Sequence, residues 1–303
     1  MYMMQLVYRF IYSERINYVL RYINRWISPI LPKKIRIPPS GTLTIRNSEG
    51  KPLKISLNQT CGLGSIIFWN GHTSFEYTTI FQALVKKVDS FFDIGANIGY
   101  YTLLAASENA NIRIVSFEPA SGPLFYLKKN VQLNQFSHVH IESLALSNKV
   151  GTIEFHEIKN KKYRYLEHCL AGESNTGSKT SGRNYQINTV ATTTLNEYMT
   201  SKKISSIDLI KMDTEGTEHF ILQKADIILS EMKPIVICET LFNCIEKELE
   251  EIFSAHGYEF YNHTPTGLQK VTTIIREKDN GVNNCFFVHP SKRHLIEEFI
   301  RIS

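Results

Sequence analysis

"FFDIGANIGYYTLLAA" (Phe91–Ala106) passes from an apolar run through one acid, two glycines and an asparagine, then returns to apolar residues. A short apolar run that ends in Asp93 reads as a buried parallel strand, Ser90–Ile94, followed by a helix over Tyr101–Ser107. Open α/β sheets bind ligands beyond the carboxyl ends of their strands, where the strand order reverses. Asp93, Gly95, Ala96, Asn97 and Gly99 occupy that place. Glycine lets backbone come close to a ligand, and the start of the next helix offers free N–H groups.

Outward from this stretch, short apolar strands alternate with helices. Strands are expected at Arg113–Phe117, Val139–Leu144, Ile207–Met212 and Pro234–Cys238. Helices are expected at Ser74–Val88, Gly122–Asn134, Thr217–Leu229 and Ile245–His256. Such alternation predicts an α/β fold, a Rossmann-like and mainly parallel sheet with helices on both faces. Gly257–Asn262 and Asn284–His289 lie too close for a crossover helix, so the sheet should end in an antiparallel hairpin. "SKRHLIEEFIRI" reads as a closing helix. Between Gly151 and Thr193 the rhythm breaks. "GTIEFHEI" reads as an inserted strand, and "AGESNTGSKTSGRN", which contains Asn175, as a long loop of the kind that binds or covers a ligand. Earlier, "GTLTIRNSEGKPLKISLN" alternates around Glu49-Gly50 as a hairpin does.

With 303 residues and 43% hydrophobic content, the chain can bury a core without staples. Its five cysteines are odd in number and scattered, with no CxxC pair. A disulfide framework or zinc site is therefore not expected, and a reducing, cytoplasmic setting is. The net charge of +5 is uneven: residues 1–40 hold seven Lys/Arg against Glu14, and the rest is nearly neutral. A chain-wide nucleic-acid surface is excluded, and any basic partner site is local. In residues 1–40, Gln5, Arg9, Ser13, Asn17, Arg21, Asn24, Arg25 and Ser28 form a narrow polar stripe on an otherwise apolar helix, ended by Pro29 and Pro32. It has no secretory pattern and is too polar to span a bilayer. It divides from a catalytic unit at 41–303, with 150–193 as an insertion. Two readings stand open: an arm packed on the body or on a second subunit, and an interfacial helix meeting anionic lipid at the inner membrane face.

Twenty-five residues after Asp93, the next strand ends at Glu118-Pro119 in "IVSFEPA". A carboxylate there can accept both hydroxyls of a ribose. The spacing D-x-G-x-x-x-G differs from GxGxxG, whose glycines admit a pyrophosphate. An acid at the strand tip disfavours an anion and favours a sulfonium and an α-ammonium, which points to S-adenosylmethionine. After the third strand, Glu142 and the backbone of Ser143 are candidates for the adenine amino group. Glu76, entering the helix before the first strand, is a candidate cover for the cofactor.

"SFFDIGANIGYYTLLAA", "VSFEPASGPLFYLKKNVQLN" and above all "IDLIKMDTEGTEHFILQKA" with "KPIVICE" resemble the FkbM family of S-adenosylmethionine-dependent methyltransferases, roughly over Phe75 to Glu239. The resemblance implies the class I methyltransferase fold, a seven-stranded sheet with an antiparallel last strand. It also implies a cofactor, S-adenosylmethionine. Members are mostly O-methyltransferases, many acting on sugars of bacterial glycans or glycolipids and some on secondary metabolites.

A second carboxylate group follows from strand parity, which puts Lys211 and Asp213 on one side of "IDLIKMD". Glu215 and Glu218, three apart, are expected on one helix face, and Glu239 ends the next strand. Asp213 is the candidate base, Lys211 its partner, and Glu239 a further catalytic candidate. Glu215, Glu218 and Asn175 are candidates for holding substrate. These acids dictate no metal cage, and none is predicted. "DTEG" stands where an Asp/Asn-Pro-Pro-Phe/Tyr tetrapeptide would mark transfer to nucleobase amino groups. The expectation is O-methylation of a saccharide or glycolipid precursor. A small-metabolite O-methyltransferase, a non-catalytic cofactor-binding scaffold and a dinucleotide oxidoreductase stand beside it.

Overall fold

Buried backbone must pair its N–H and C=O groups, so apolar runs too short for helices assemble side by side. The computed structural model describes residues 2–30, 35–170 and 184–301. The chain opens with helices α1 (Tyr2–Ile11) and α2 (Glu14–Ile27), a hairpin of β1 (Gly41–Arg46) and β2 (Pro52–Leu57), then α3 (Gly62–Asn70) and α4 (Thr78–Leu84). Next come β3 (Ser90–Ile94), α5 (Tyr100–Glu108), β4 (Arg113–Phe117), α6 (Ser121–Leu133) and β5 (Val139–Glu142). A separate three-stranded sheet is built by β6 (Ala145–Leu146), β7 (Gly151–Lys159) and β8 (Asn184–Thr193). The βα rhythm resumes with α7 (Leu195–Lys202), β9 (Leu209–Met212), α8 (Glu218–Leu222), β10 (Ile235–Glu239) and α9 (Glu246–Ala255). Strands β11 (Glu259–Thr264), β12 (Gly267–Val271) and β13 (Asn284–Val288) complete the sheet.

Among the described residues the central sheet runs β12-β11-β13-β10-β9-β3-β4-β5. Strands β5, β4, β3, β9 and β10 are mutually parallel, and β13 inserts antiparallel between β10 and β11. This is the expected mainly parallel sheet with a reversed last strand, and β12 adds an edge strand on β11. The chain leaves β3 toward β4 and later returns to β9 on its other side, so the β3/β9 border is where strand order reverses. Two apolar clusters cover the faces. Phe91, Ile114, Leu209 and Ile237 meet α4, α5 and α6 on one side. Phe92, Val115, Ile210 and Val236 meet α7, α8 and α9 on the other.

Several expectations change. The N-terminal segment is two helices, because Ser13 is extended and starts α2 afresh. The helix expected over Thr217–Leu229 stops at Leu222, and a π-helical turn at Ile228–Met232 follows. "SKRHLIEEFIRI" forms short 3-10 turns rather than a helix: Ile300 bridges Leu268, and the Arg301 N–H donates to the Leu268 carbonyl. The chain end thus satisfies its backbone on the β12 edge. The strand expected over Val139–Leu144 ends at Glu142, and Ala145–Leu146 just beyond it pairs with β8 instead of β4. "GTIEFHEI" is a strand as expected, and its antiparallel partner is β8.

Part of the arm's polar stripe, Asn17, Arg21 and Asn24, faces inward, while Arg9, Ser13 and Arg25 of the same stripe stay exposed. Asn17 and Arg21 are buried, and the apolar residues point away from the body. The Asn17 carboxamide oxygen accepts from the Ser40 N–H (2.7 Å), and that of Asn24 accepts from the Ile37 N–H (2.7 Å). Arg21 donates to the carbonyls of Ser40 (3.2 Å) and Thr42 (3.3 Å). In α1, Gln5 donates to the Lys162 carbonyl (2.9 Å) and accepts from the Arg164 N–H (3.0 Å). The stripe thus pairs backbone that the strands leave free.

Candidate active site

At the reversal point, β3 and β9 align Asp93 with Lys211 in parallel register. Their side chains share a face, and the Lys211 ammonium lies 3.7 Å from Asp93 and 3.5 Å from Asp213. It also donates to the Gly95 carbonyl (2.9 Å). Burial disfavours the charge on Lys211, yet Asp213, Asp93 and Glu76 outweigh that and push its pKa up. Asp93 is sealed below the loop: one oxygen accepts from the Thr102 hydroxyl (2.6 Å), and the other is buried without a hydrogen bond. Burial pushes its carboxyl up, opposed by Lys211. The Asp93 charge is therefore matched inside the protein by a lysine, not held in wait for a cationic ligand.

Gly95 has φ +74°, and a Cβ there would collide with the Asp213 carbonyl oxygen. This glycine lets the β3 and β9 tips touch, and it also lines the cavity beyond them. Gly99, at φ +88°, begins α5 against Leu127. Ala96 is buried and donates its N–H to the Phe117 carbonyl (3.0 Å). Glu118 clasps the loop: one oxygen accepts from the Asn97 N–H (2.7 Å), the other from the Ala120 N–H (2.9 Å). Burial pushes its carboxyl to about 7, against those two N–H groups. Each oxygen keeps a further lone pair, and Glu118 still lines a cavity.

That cavity, about 450 Å³, opens at the strand tips. Ile94, Gly95, Asn97, Glu118, Pro119 and Asp213 form its floor. Leu144 and Leu146, Ile153 and Phe155 of β7, Leu170 and Phe220 wall it in. Phe155 is itself fixed against Ala120 and Val190 of β8. Among the described residues, every charged group lining the cavity is an acid: Glu118, Glu154, Asp213 and Glu215. The Asp213 side chain is 43% exposed and so open to a ligand.

Other candidates lie elsewhere. Glu142 and Ser143 do not line the cavity: the Glu142 carboxylate accepts from the Tyr198 hydroxyl (2.9 Å) and pairs with Lys202 (3.0 Å), and the next residues, Leu144–Asn148, take the wall. Glu215 and Glu218 do not share a helix face, because Glu215 (φ +60°) and Gly216 (φ +95°) make a left-handed turn before α8. Glu215 lines the cavity, whereas buried Glu218 accepts from the Thr214 N–H (2.6 Å) and holds that turn. Glu239 sits beside the acids at the tip of β10 but outside the cavity lining. Burial first, then Asp213, Glu215, Glu218 and Glu76, push its carboxyl to about 8. Glu76 (φ +42°) accepts from the Tyr101 hydroxyl (2.9 Å) and also lies outside the lining. Asn175 falls outside the described residues. Ile153, Glu154, Phe155 and Phe220 were not singled out from the sequence. The alternating "GTIEFHEI" hinted at a sheet, not at which of its faces meets the cavity.

Comparison with known families decides the class. The model of the methyltransferase FkbM domain matches residues 93–260, more than half of the chain. The chain belongs to the FkbM methyltransferase family. It is 27% identical over 187 residues to methyltransferase sdnD of Sordaria araneosa, covering 55% of this chain and 72% of that protein. Among solved structures, it is similar to methyltransferase FkbM from Methylobacillus flagellatus KT (16% identity, TM-score 0.43), covering 66% of this chain and 43% of that one. It is also similar to the SAM-dependent methyltransferase from Agrobacterium tumefaciens (9% identity, TM-score 0.44, 83% and 71% covered). Family membership makes the protein an S-adenosylmethionine-dependent methyltransferase. The site fits that cofactor on its own chemistry: an all-acid charged lining suits a sulfonium and an ammonium and repels a pyrophosphate. Glu118 and Asn97, at the tip of β4 and in the glycine loop, are the lining residues that could hold it.

Proposed function

We propose that the protein is an O-methyltransferase that methylates a hydroxyl of a saccharide or glycolipid precursor. One observation carries the reading: the exposed carboxylate of Asp213 lines the cavity with three further acids and no charged nitrogen among the described lining residues, a setting suited to taking a proton from a hydroxyl. When bound, S-adenosylmethionine supplies a methyl already activated by a positive sulfur. The protein then has two tasks, positioning and proton removal. Asp213 takes the proton from the attacking hydroxyl, a step worth roughly 10²–10⁴-fold in rate. Lys211 fixes the Asp213 carboxylate by its ion pair and ties the Gly95 loop to the same strand tip. Glu239, its pKa near 8, holds a proton at neutral pH and so acts as a hydrogen-bond donor, not a second base. Glu154 and Glu215 offer acceptors for neighbouring hydroxyls, and Phe155 and Phe220 offer apolar faces, the pairing a polyol ring requires. Transfer of labelled methyl to a panel of saccharide and glycolipid acceptors, with the product bond identified by NMR, tests the reading. A methyl on oxygen of a sugar supports it. Transfer only to nitrogen or carbon acceptors, or cofactor binding with no transfer to any hydroxyl, overturns it.

A further inference from the structure

The two N-terminal helices carry their polar residues inside and their apolar residues outside. On α2, Tyr18, Val19, Tyr22, Ile23 and Trp26 recur at helical spacing on the outward face, and Trp26 is 85% exposed. Phe10 on α1 is 64% exposed. Soluble surfaces rarely leave apolar side chains in so continuous a patch unless something covers them. The charges beside the patch have one sign. Arg9, Arg15 and Arg25 are exposed, and Glu14, the single acid of residues 1–40, is exposed as well but already accepts from the Thr42 N–H (2.9 Å). A second copy of this surface would set three exposed arginines against three more, with one carboxylate per copy, Glu14, already engaged at Thr42. Both helices, 10 and 14 residues long, are too short to cross a bilayer. Among the described residues, no helix is long and apolar enough to cross one.

We propose that α1 and α2 dock the enzyme flat on an anionic lipid surface. The outward aromatic and aliphatic side chains enter the boundary below the headgroups, and Arg9, Arg15 and Arg25 pair with the phosphates. The inward stripe keeps the helices clamped to the body, so docking requires no refolding of the arm. Through Gln5, and through Tyr8 and Tyr12 packed edge-on against Tyr163, α1 also grips the segment that runs on to Leu170 in the cavity wall. If the acceptor is a glycolipid, as the proposed function allows, docking keeps the enzyme on the surface that carries it.

The test uses the full-length protein with vesicles and no acceptor, so its failure is separable from failure of the acceptor assignment. The protein should sediment with vesicles of equal phosphatidylcholine and phosphatidylglycerol, and far less with phosphatidylcholine alone. Trp26 emission should shift to the blue, and Trp26→Phe should abolish the shift, since Trp69 already donates to the Ile37 carbonyl within the protein. Each of Arg9→Gln, Arg15→Gln and Arg25→Gln should lower the partition constant about fivefold. Phe10→Ser with Trp26→Ser should release the protein without changing its melting temperature. Protein that stays in the supernatant with both vesicles overturns the proposal. So does a concentration-dependent dimer that buries Trp26, which would assign the face to a second copy.

Discussion

Asp93 and Asp213 end adjacent parallel strands, and both lie within ion-pair reach of one lysine, yet they face different worlds. Asp93 is sealed beneath the glycine loop, bonded to Thr102 and balanced by Lys211. Asp213 keeps much of its side chain open at the cavity. The same residue type at the same kind of place is scaffold in one strand and a reactive group in the next. What separates them is their place along the strand: Asp93 is level with Lys211, whereas Asp213 stands two residues past it and clears the sheet edge.

This contrast can be broken experimentally. The largest effect should come from Lys211→Met, which leaves the Asp93 charge buried and unmatched. A loss of about 3–5 kcal/mol is expected, read by urea unfolding, with methyl transfer lost as well. A stable, active Lys211→Met protein would remove the lysine from its central place. Asp213→Asn should separate chemistry from architecture: turnover falls roughly 10²–10⁴-fold while cofactor binding by calorimetry and stability stay near wild type. Full turnover in that variant would end its assignment as base. Gly95→Ala should cost about 1–3 kcal/mol through the positive φ and the collision with the Asp213 carbonyl, and cofactor affinity should drop with it. The smallest effect should be the pH dependence of Glu239→Gln. Its folded pKa, near 8, lies above the ordinary 4.5, so the folded state holds the extra proton. That stability is fully present below about 4.5 and lost as pH rises through 8. Melting temperatures of wild type and variant should coincide near pH 5, and the variant should melt a few degrees higher near pH 9. Glu118, raised in the same sense to about 7, contributes to the slope left in the variant, with Asp93 and Glu76, which burial also raises.

The strands that build the site were legible because each is an apolar run closed by an acid. Residues Ser90–Ile94 and Arg113–Phe117 could be bounded from the sequence to the residue. Parity also put Lys211 beside Asp213. Burial and pairing were not legible. Glu142 sits at a strand tip like Glu118, but Tyr198 and Lys202, far along the chain, draw it away. The cavity wall in β7 depends on Phe155 meeting Ala120 and Val190, contacts that no local periodicity encodes. In the arm, spacing revealed the stripe and not which side of it faces water. Counting apolar residues favours burying the apolar side. The free backbone of Ile37, Ser40 and Thr42 reverses that choice.

The inverted arm has a practical consequence for anyone handling the protein. Clipping off a greasy leader is the usual remedy for poor behaviour in solution, and here it would strip the hydrogen-bonding partners of Ile37, Ser40 and Thr42 and bare the lip of the first hairpin. Better handling should come from repainting the outside, with serine or glutamine at Phe10 and Trp26, while Asn17, Arg21 and Asn24 are left alone.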